Sequence, residues 1–261
     1  MGCIKSNKLW EAEEPSVLPQ RRETLVIVAH SYGQQLADAG LTELVMQSTV
    51  HVSQTTIEIK YVVEPGANYD YFLDHSIRMK EVAAYEPDFI LVILAGNSVG
   101  SEEEKSDIER KSLEFYRRLR WYAPNALIIA AQAEMRYYPE NNAFGAPTEW
   151  EYRSKRNWFN KRILNEKLRA AKYMDFILMV AGDNRLDKRE LRKGDGVHMK
   201  PEAVAIYVTQ LTGMMHYVHT QIKERVHIDN AIAEVGARHE QAKKERKEQK
   251  SLRYTPYYKG G

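Results

Sequence analysis

The sequence has one cysteine and no long apolar run, and these absences exclude several classes of protein. Only Cys3 among the 261 residues carries a thiol, so no intrachain disulfide can form, as is typical of reducing compartments. No apolar run approaches the roughly 20 residues that a membrane-spanning helix needs. The polar start also lacks the apolar segment of a secretory signal peptide. We therefore expect a cytoplasmic protein.

The chain also has little net charge and no phosphate-binding motif. Its 38 basic and 36 acidic residues leave a net charge of +2, which is too small to indicate nucleic-acid binding by itself. We find no internal repeat and no glycine-rich loop that would cradle a phosphate. A hydrophobic fraction of 43% and a charged fraction of 28% are ordinary for a soluble globular protein. The length suffices for one well-buried α/β domain with tails.

Apolar runs alternate with helical patterns along the chain, which favours βα units and a mostly parallel sheet. The predicted strands cover about 24–29, 56–63, 88–95, 126–131 and 174–180. The first predicted helix starts near Ser31 or Gly33 and ends near Gly40. The later predicted helices cover about 70–84, 102–120, 149–171 and 201–220. We expect three segments: an acylated N-terminal anchor and spacer at 1–22, a domain at 23–222 and a charged, basic tail at 223–261 that is helical or disordered.

The most informative stretch is Asp195-Gly196-Val197-His198. In a loop closed by Gly196, the carboxylate of Asp195 can bind one ring nitrogen of His198 and leave the other free as a general base. Such a pair needs a nucleophile. Ser31 follows the first apolar run just where a helix begins, which is a common place for a reactive hydroxyl. The alternative is that Ser31 only caps this helix.

Hydrolysis through Ser31 also requires hydrogen-bond donors for the oxyanion that forms on the acyl carbonyl. The backbone amides of Ser31 and Gly66 and the side-chain amide of Asn97 are the candidates. Each follows a predicted strand, and the carboxyl ends of parallel strands meet at one edge of a sheet. Asn97 alone is equally consistent with a residue that caps the turn after its strand.

Taken in order, these motifs resemble those of the SGNH hydrolases, also called GDSL-type esterases and lipases, over about residues 24–220. Three blocks carry the resemblance: Ala29-His30-Ser31, Ala95-Gly96-Asn97 and Asp195-Gly-Val-His198. Gly66 is the best match to the oxyanion glycine of the family. The resemblance implies a three-layer α/β/α, flavodoxin-like fold, with Ser31, His198 and Asp195 as catalytic residues and no metal or organic cofactor.

The sequence departs from the family pattern at three positions. His30 stands where the family usually has aspartate, Ala95 replaces a glycine, and Ser98 follows Asn97 where aspartate is frequent. None of these changes removes a member of the Ser-His-Asp set. His30 does place a second imidazole beside the nucleophile.

The first residues carry a separate signal. After removal of Met1, Gly2 would become the N-terminal residue, and Ser6 lies at the position where N-myristoylation prefers Ser or Thr. Cys3 is placed for a second acyl chain. This start resembles the dually acylated N-termini of some Src-family kinases, although no kinase motif follows. Lys5 and Lys8 add positive charge that favours an anionic leaflet. The alternative is a polar N-terminus with glycine at position two by chance.

Other polar and aromatic groups have purely structural interpretations beside their functional ones. His216 and His219 lie one helical turn apart, but no third metal ligand is evident nearby. The loop at about 134–148 contains aromatic residues that either line an acyl pocket, together with Trp150, or pack on one another: Tyr137, Tyr138 and Phe144. The basic tail is a solvated segment, or it aids membrane or partner binding.

These patterns together predict an acyl hydrolase that acts on an ester substrate at the cytoplasmic face of a membrane, or in the cytoplasm if it is not acylated. The alternative is a catalytically altered SGNH-like module for binding or assembly. Nucleic-acid association through the basic tail is a third hypothesis, against which the near-neutral domain and the acylation signal weigh. The sequence does not determine the oligomeric state.

Overall fold

The computed structural model describes residues 21–47, 54–137, 147–179 and 186–221, with residues 241, 243 and 244. By its internal contacts the chain divides into two compact units, 1–212 and 213–261. The described part of the second unit, at 213–221 and the three positions beyond, is helical. The boundaries predicted at residues 22 and 222 stay predictions.

The first unit alternates strands with helices. Its strands are β1 (Arg21–Ala29), β2 (Glu43–Gln47), β3 (Gln54–Val63), β4 (Phe89–Ile93), β5 (Leu127–Ala131) and β6 (Phe176–Leu178). Its helices are α1 (Ser31–Asp38), α2 (Tyr69–Asp74), α3 (Ser76–Ala84), α4 (Ala95–Val99), α5 (Lys105–Tyr122) and α6 (Glu149–Trp158), which continues as a π-helix over Phe159–Leu168. A 3-10 turn covers Arg189–Leu191, and α7 begins at Pro201 and is described to residue 221.

The strands form one sheet in the order β2-β3-β1-β4-β5-β6. All neighbouring strands pair in parallel except β2, which runs antiparallel to β3 at the edge. Without β2 the order is that of flavodoxin-like sheets, and it reverses between β1 and β4. Ligands of such sheets bind outside the carboxyl ends of the strands at this reversal. Ser31 begins the helix that follows β1, and Asn97 lies in the short helix that follows β4.

Helices cover both faces of the sheet, because alternate residues of a strand point to opposite sides. Val26 and Val28 of β1 belong to the core cluster that also contains buried residues of α2, α3, α5 and α6. The other face of β1 packs on α1, where a Cβ placed on Gly33 would lie 2.5 Å from the Cβ of Ala29. The predicted three-layer α/β/α architecture with a mostly parallel sheet is therefore confirmed.

The structure differs from the predicted elements in three places. Strand β2 was not predicted, although its buried Leu44 and Met46 flank the exposed Val45 in the alternation of an edge strand. The helix predicted at 70–84 is two helices, which meet at the non-helical backbone of His75. Asn97 was predicted in a loop and lies in the short helix α4.

The described helices include none that is long and apolar enough to cross a membrane.

Candidate active site

The Asp195–His198 pair forms within its own loop, as the spacing predicted. Asp195 Oδ2 lies 2.5 Å from His198 Nδ1, and Oδ1 accepts the backbone N–H groups of Val197 and His198, both at 2.9 Å. Partial desolvation opposes ionisation of this largely exposed carboxylate, but the hydrogen bonds from the His198 ring and the two amides outweigh it and lower the pKa of Asp195. An ionised Asp195 therefore orients the ring and can stabilise an imidazolium.

Gly196 closes this loop in a way that no other residue can. Its φ of +69° lies in the left-handed region, which costs a residue with a Cβ about 1–3 kcal/mol. Its carbonyl accepts the N–H of Tyr137 at 2.8 Å, and a Cβ on Gly196 would lie 1.5 Å from the Tyr137 carbonyl oxygen. The pair is thus anchored to the segment that follows β5.

The same loop is tied directly to helix α1. The hydroxyl of Tyr32 donates to the carbonyl of Val197 at 2.6 Å. The side-chain amide of Gln35 donates to the carbonyl of Met199 at 2.8 Å and accepts the N–H of Met199 at 3.2 Å. These three bonds join residues about 165 positions apart in the sequence and hold His198 close to the start of α1. Sequence reasoning missed both Tyr32 and Gln35.

Ser31 is the first residue of α1, but it does not cap the helix. The cap is His30, whose Nδ1 accepts the N–H of Tyr32 at 3.3 Å. The alternative interpretation of Ser31 as an N-cap is therefore wrong, and its hydroxyl is not consumed by the helix. The described residues include no hydrogen bond between Ser31 Oγ and His198, a contact that in many unliganded enzymes shortens only when substrate binds. The role of Ser31 as a nucleophile stays a prediction.

His30 lies fully buried beneath the candidate site. Burial lowers the pKa of His30 well below its ordinary value, and the nearby charges of Arg136 and His198 add to the shift. The ring is therefore neutral at pH 7. Because Nδ1 accepts a backbone N–H, the proton of the neutral ring is on Nε2. Replacement of the family's aspartate thus supplies a helix cap rather than a second charged base.

The three predicted oxyanion donors differ in what the structure shows of them. One N–H of the Asn97 side chain donates to the carbonyl of Ala67 at 2.8 Å, and the other has no partner among the described residues. Ala67 follows Gly66, so Asn97 ties α4 to the turn that contains Gly66 (φ +82°). In that turn the N–H of Ala67 already donates to Glu64. The amides of Gly66 and Ser31 have no partner among the described residues and stay candidates.

Arg136 is a further charged group at this edge of the sheet, and sequence reasoning missed it. Its Nη2 donates to Asn97 Oδ1 at 2.7 Å, and only 4% of the residue is exposed. The signal that could have found it is its position just after the end of β5, at the edge that already contained the other candidates.

A buried carboxyl group lies beside this arginine. Burial raises the pKa of Glu134, although three nearby guanidinium groups act in the opposite direction: Arg192, Arg136 and Arg156. The buried layer under the site therefore contains more positive than negative side chains.

Several predicted features lie apart from this cluster or outside the described residues. Trp150 is 76% exposed, and the hydroxyl of Tyr137 donates to the carbonyl of Asp187, so neither side chain is shown to line a pocket. Tyr138, Phe144, Gly2 and Cys3 lie outside the described residues, as does most of the basic tail. Within the described ranges, no group of His, Cys, Asp and Glu side chains is arranged to hold a metal ion.

Comparison with known proteins identifies the fold. No family model matches the sequence, and no curated protein sequence matches it. A lipase/acylhydrolase from Enterococcus faecalis matches the structure with a TM-score of 0.53 and 11% identity, over 74% of this chain and 95% of that chain. A GDSL-like lipase from Bacteroides thetaiotaomicron VPI-5482 also matches, with a TM-score of 0.51 and 12% identity, over 75% and 89% of the two chains. The chain has the fold of the GDSL-type hydrolases.

The resemblance to SGNH hydrolases is thus confirmed at the level of the fold. Sequence identities of 11% and 12% are too low to transfer the roles of individual residues from those proteins to this chain. Those roles depend on the geometry of the Asp195–His198 loop, α1 and Asn97.

Replacement of Gly196 by alanine should disorder the loop and destabilise the protein by at least about 2 kcal/mol, because the Cβ combines backbone strain with a clash against Tyr137. Gly194→Ala is the matched control, since a Cβ there meets nothing within 4 Å. Urea unfolding of the two variants measures the difference. Equal free energies of unfolding would contradict the role of Gly196.

The protein should lose stability as the pH is lowered below about 6.5, and part of this loss should come from His30. The unfolded chain binds a proton at His30 below its ordinary pKa of 6.5, while the folded chain does not, so acid favours the unfolded state. This group alone should cost at most about 1.4 kcal/mol at pH 5.5 relative to pH 7.5. Denaturant unfolding at both pH values should show that the loss shrinks in His30→Asn, which keeps a capping side chain.

The exposed His75 supplies the control for this measurement. His75→Asn should retain the full pH dependence of the wild type. A His30→Asn variant that is equally acid-sensitive would show that the imidazole of His30 is not the buried neutral group responsible.

Proposed function

We propose that this protein is a serine hydrolase that cleaves ester bonds. In the first half-reaction, Ser31 Oγ attacks the acyl carbonyl carbon while His198 Nε2 takes the hydroxyl proton. Asp195 stabilises the imidazolium. The oxyanion accepts hydrogen bonds from the free N–H of Asn97 and the amides of Ser31 and Gly66. Collapse of this intermediate breaks the ester C–O bond, and His198 returns the proton to the departing alcohol.

In the second half-reaction, water replaces the alcohol. His198 takes a proton from the water, whose oxygen attacks the carbonyl of the acyl-Ser31. The same donors stabilise the second oxyanion. Its collapse breaks the bond to Ser31 Oγ, which recovers the proton from His198, and a carboxylic acid is released.

The observation that carries the proposal is the join between the Asp195–His198 loop and helix α1. Gln35 and Tyr32 bond to the backbone on both sides of His198, and Ser31 begins the same helix. A solitary Asp-His pair in a surface loop would need no such attachment to a helix whose first residue is an uncommitted serine. The GDSL-type fold supports the same chemistry.

A second candidate is an SGNH-like module that binds a ligand without cleaving it. The observation that favours it is the missing hydrogen bond between Ser31 Oγ and His198 among the described residues, together with His30 in place of the family's aspartate. The two candidates differ in whether Ser31 becomes acylated.

A fluorophosphonate probe should label the wild type at Ser31, because such reagents trap an activated serine. Ser31→Ala should abolish labelling and lower the turnover of short acyl esters by at least about 10³-fold. Ser76→Ala, at an exposed serine that begins α3, should behave as wild type. A folded wild type that is neither labelled nor active on a panel of esters would refute the hydrolase and leave the binding module.

We further propose that acylation of Gly2 and Cys3 holds the enzyme at the cytoplasmic face of a membrane. The support is the sequence Met1-Gly2-Cys3 with Ser6 at the preferred position. One myristoyl chain binds a bilayer with a constant of only about 10⁴ M⁻¹, so a second chain on Cys3 is needed for stable attachment. Such an anchor would bring the site close to acylated membrane substrates.

Gly2→Ala should release the full-length protein from the membrane fraction, because it removes the myristoyl acceptor on which attachment depends. Cys3→Ser should give an intermediate distribution, since one chain remains. Fractionation of cells that express each variant measures both. Unchanged partitioning of Gly2→Ala would defeat the anchor without affecting the assignment of Ser31.

A further inference from the structure

The side chain of Arg136 contacts the side chain of Asn97 directly. Its Nη2 donates to Asn97 Oδ1 at 2.7 Å across 39 positions of sequence. Arg136 follows β5 and Asn97 follows β4, which are neighbours in the sheet. Their contact is thus a consequence of the strand order, and it places a permanent positive charge next to a candidate oxyanion donor.

The two partners of Asn97 define which way its amide points. A guanidinium group only donates hydrogen bonds, so the atom facing Arg136 must be the oxygen. A backbone carbonyl only accepts them, so the atom facing the carbonyl of Ala67, at 2.8 Å, must be the nitrogen. A flipped amide would lose both bonds. Because the amide is planar, the direction of the second hydrogen on Nδ2 is then fixed as well. This hydrogen has no partner among the described residues.

The surroundings are shaped to admit this guanidinium. A Cβ on Gly96 would lie 2.6 Å from Arg136 Nη2, so only glycine lets the group approach α4 this closely. On its other side, the guanidinium carbon lies 5.9 Å from the ring centroid of the fully buried Tyr152. A cation held over an aromatic face gains further stabilisation when it is desolvated.

The charge of Arg136 also acts electrostatically on the residues around Ser31. It is one of the groups that disfavour a second positive charge on His30, the residue before Ser31. A cation that raises the cost of a nearby positive charge lowers the cost of a nearby negative one. An oxyanion that forms between Ser31 and Asn97 would be such a charge.

We propose that Arg136 is a positioning residue for ester hydrolysis, which holds the Asn97 amide so that one N–H faces the oxyanion and strengthens that donor with its buried charge. This inference rests on the proposed function. Arg136 itself need not touch the substrate, because it acts through Asn97.

Steady-state kinetics on a short acyl ester tests the coupling. Asn97→Ala should lower kcat by about 10²–10³-fold, as expected for loss of one oxyanion donor. Arg136→Lys, which keeps the charge but loses the planar fork, should lower kcat by about 10–10²-fold with KM within about threefold. The double variant should be no slower than Asn97→Ala within about twofold. Independent, multiplicative losses would overturn the proposal.

Arg156→Lys is the matched control for replacing a buried arginine. Arg156 is also buried, but it bonds to the carbonyl of Ala133 and to Asp187 rather than to Asn97. Whatever it costs in kcat, its effect should multiply with that of Asn97→Ala. The same non-additivity for Arg156→Lys would show that coupling reflects general loosening, and it would overturn the specific role of Arg136.

A nuclear magnetic resonance measurement on wild-type protein separates this inference from the proposed function and requires no variant of Arg136 to fold. The side-chain amide of Asn97, identified by its absence in Asn97→Ala, should show two well-separated proton signals and a heteronuclear NOE as rigid as the backbone. A mobile, averaged amide would overturn the positioning role. A rigid amide in a protein without esterase activity would support the positioning and refute the hydrolase.

Discussion

The attachment of the Asp195–His198 loop to helix α1 is the constraint on which the rest of the site depends. The pair itself is local, and an unattached loop of this length would move independently of the sheet. The side-chain amide of Gln35 bonds to both backbone groups of Met199, and Tyr32 bonds to Val197. Because α1 packs against the sheet, the Asp195–His198 loop is held by the core.

Electrostatics at the carboxyl edge favour negative charge where the proposed mechanism creates it. His30 is neutral and adds no charge to this edge, whereas Arg136 contributes a positive charge that burial shields from water and salt. In the proposed mechanism, the ionised Asp195 bonds to Nδ1 of His198 and stabilises the imidazolium.

The departures from the family pattern become intelligible in structural terms. His30 replaces an aspartate, and its imidazole caps α1 by accepting the N–H of Tyr32, which leaves the Ser31 hydroxyl uncommitted. Ser98 is buried, and its hydroxyl lies 3.4 Å from the N–H of Tyr69. Both side chains thus make local polar contacts. They leave intact the parallel sheet and the reversal of strand order where the site lies.

The sequence by itself determined the parts of this protein that depend on near neighbours. Apolar runs that alternate with helical patterns sufficed for the parallel part of the sheet, although not for the antiparallel strand β2. A spacing of three with Gly196 between sufficed for the Asp195–His198 pair. The contacts of Asn97 were decided only by tertiary structure, because its partners Ala67 and Arg136 lie 30 and 39 positions away. Such contacts depend on which strands become neighbours and how their crossovers pack, and no local pattern encodes that order.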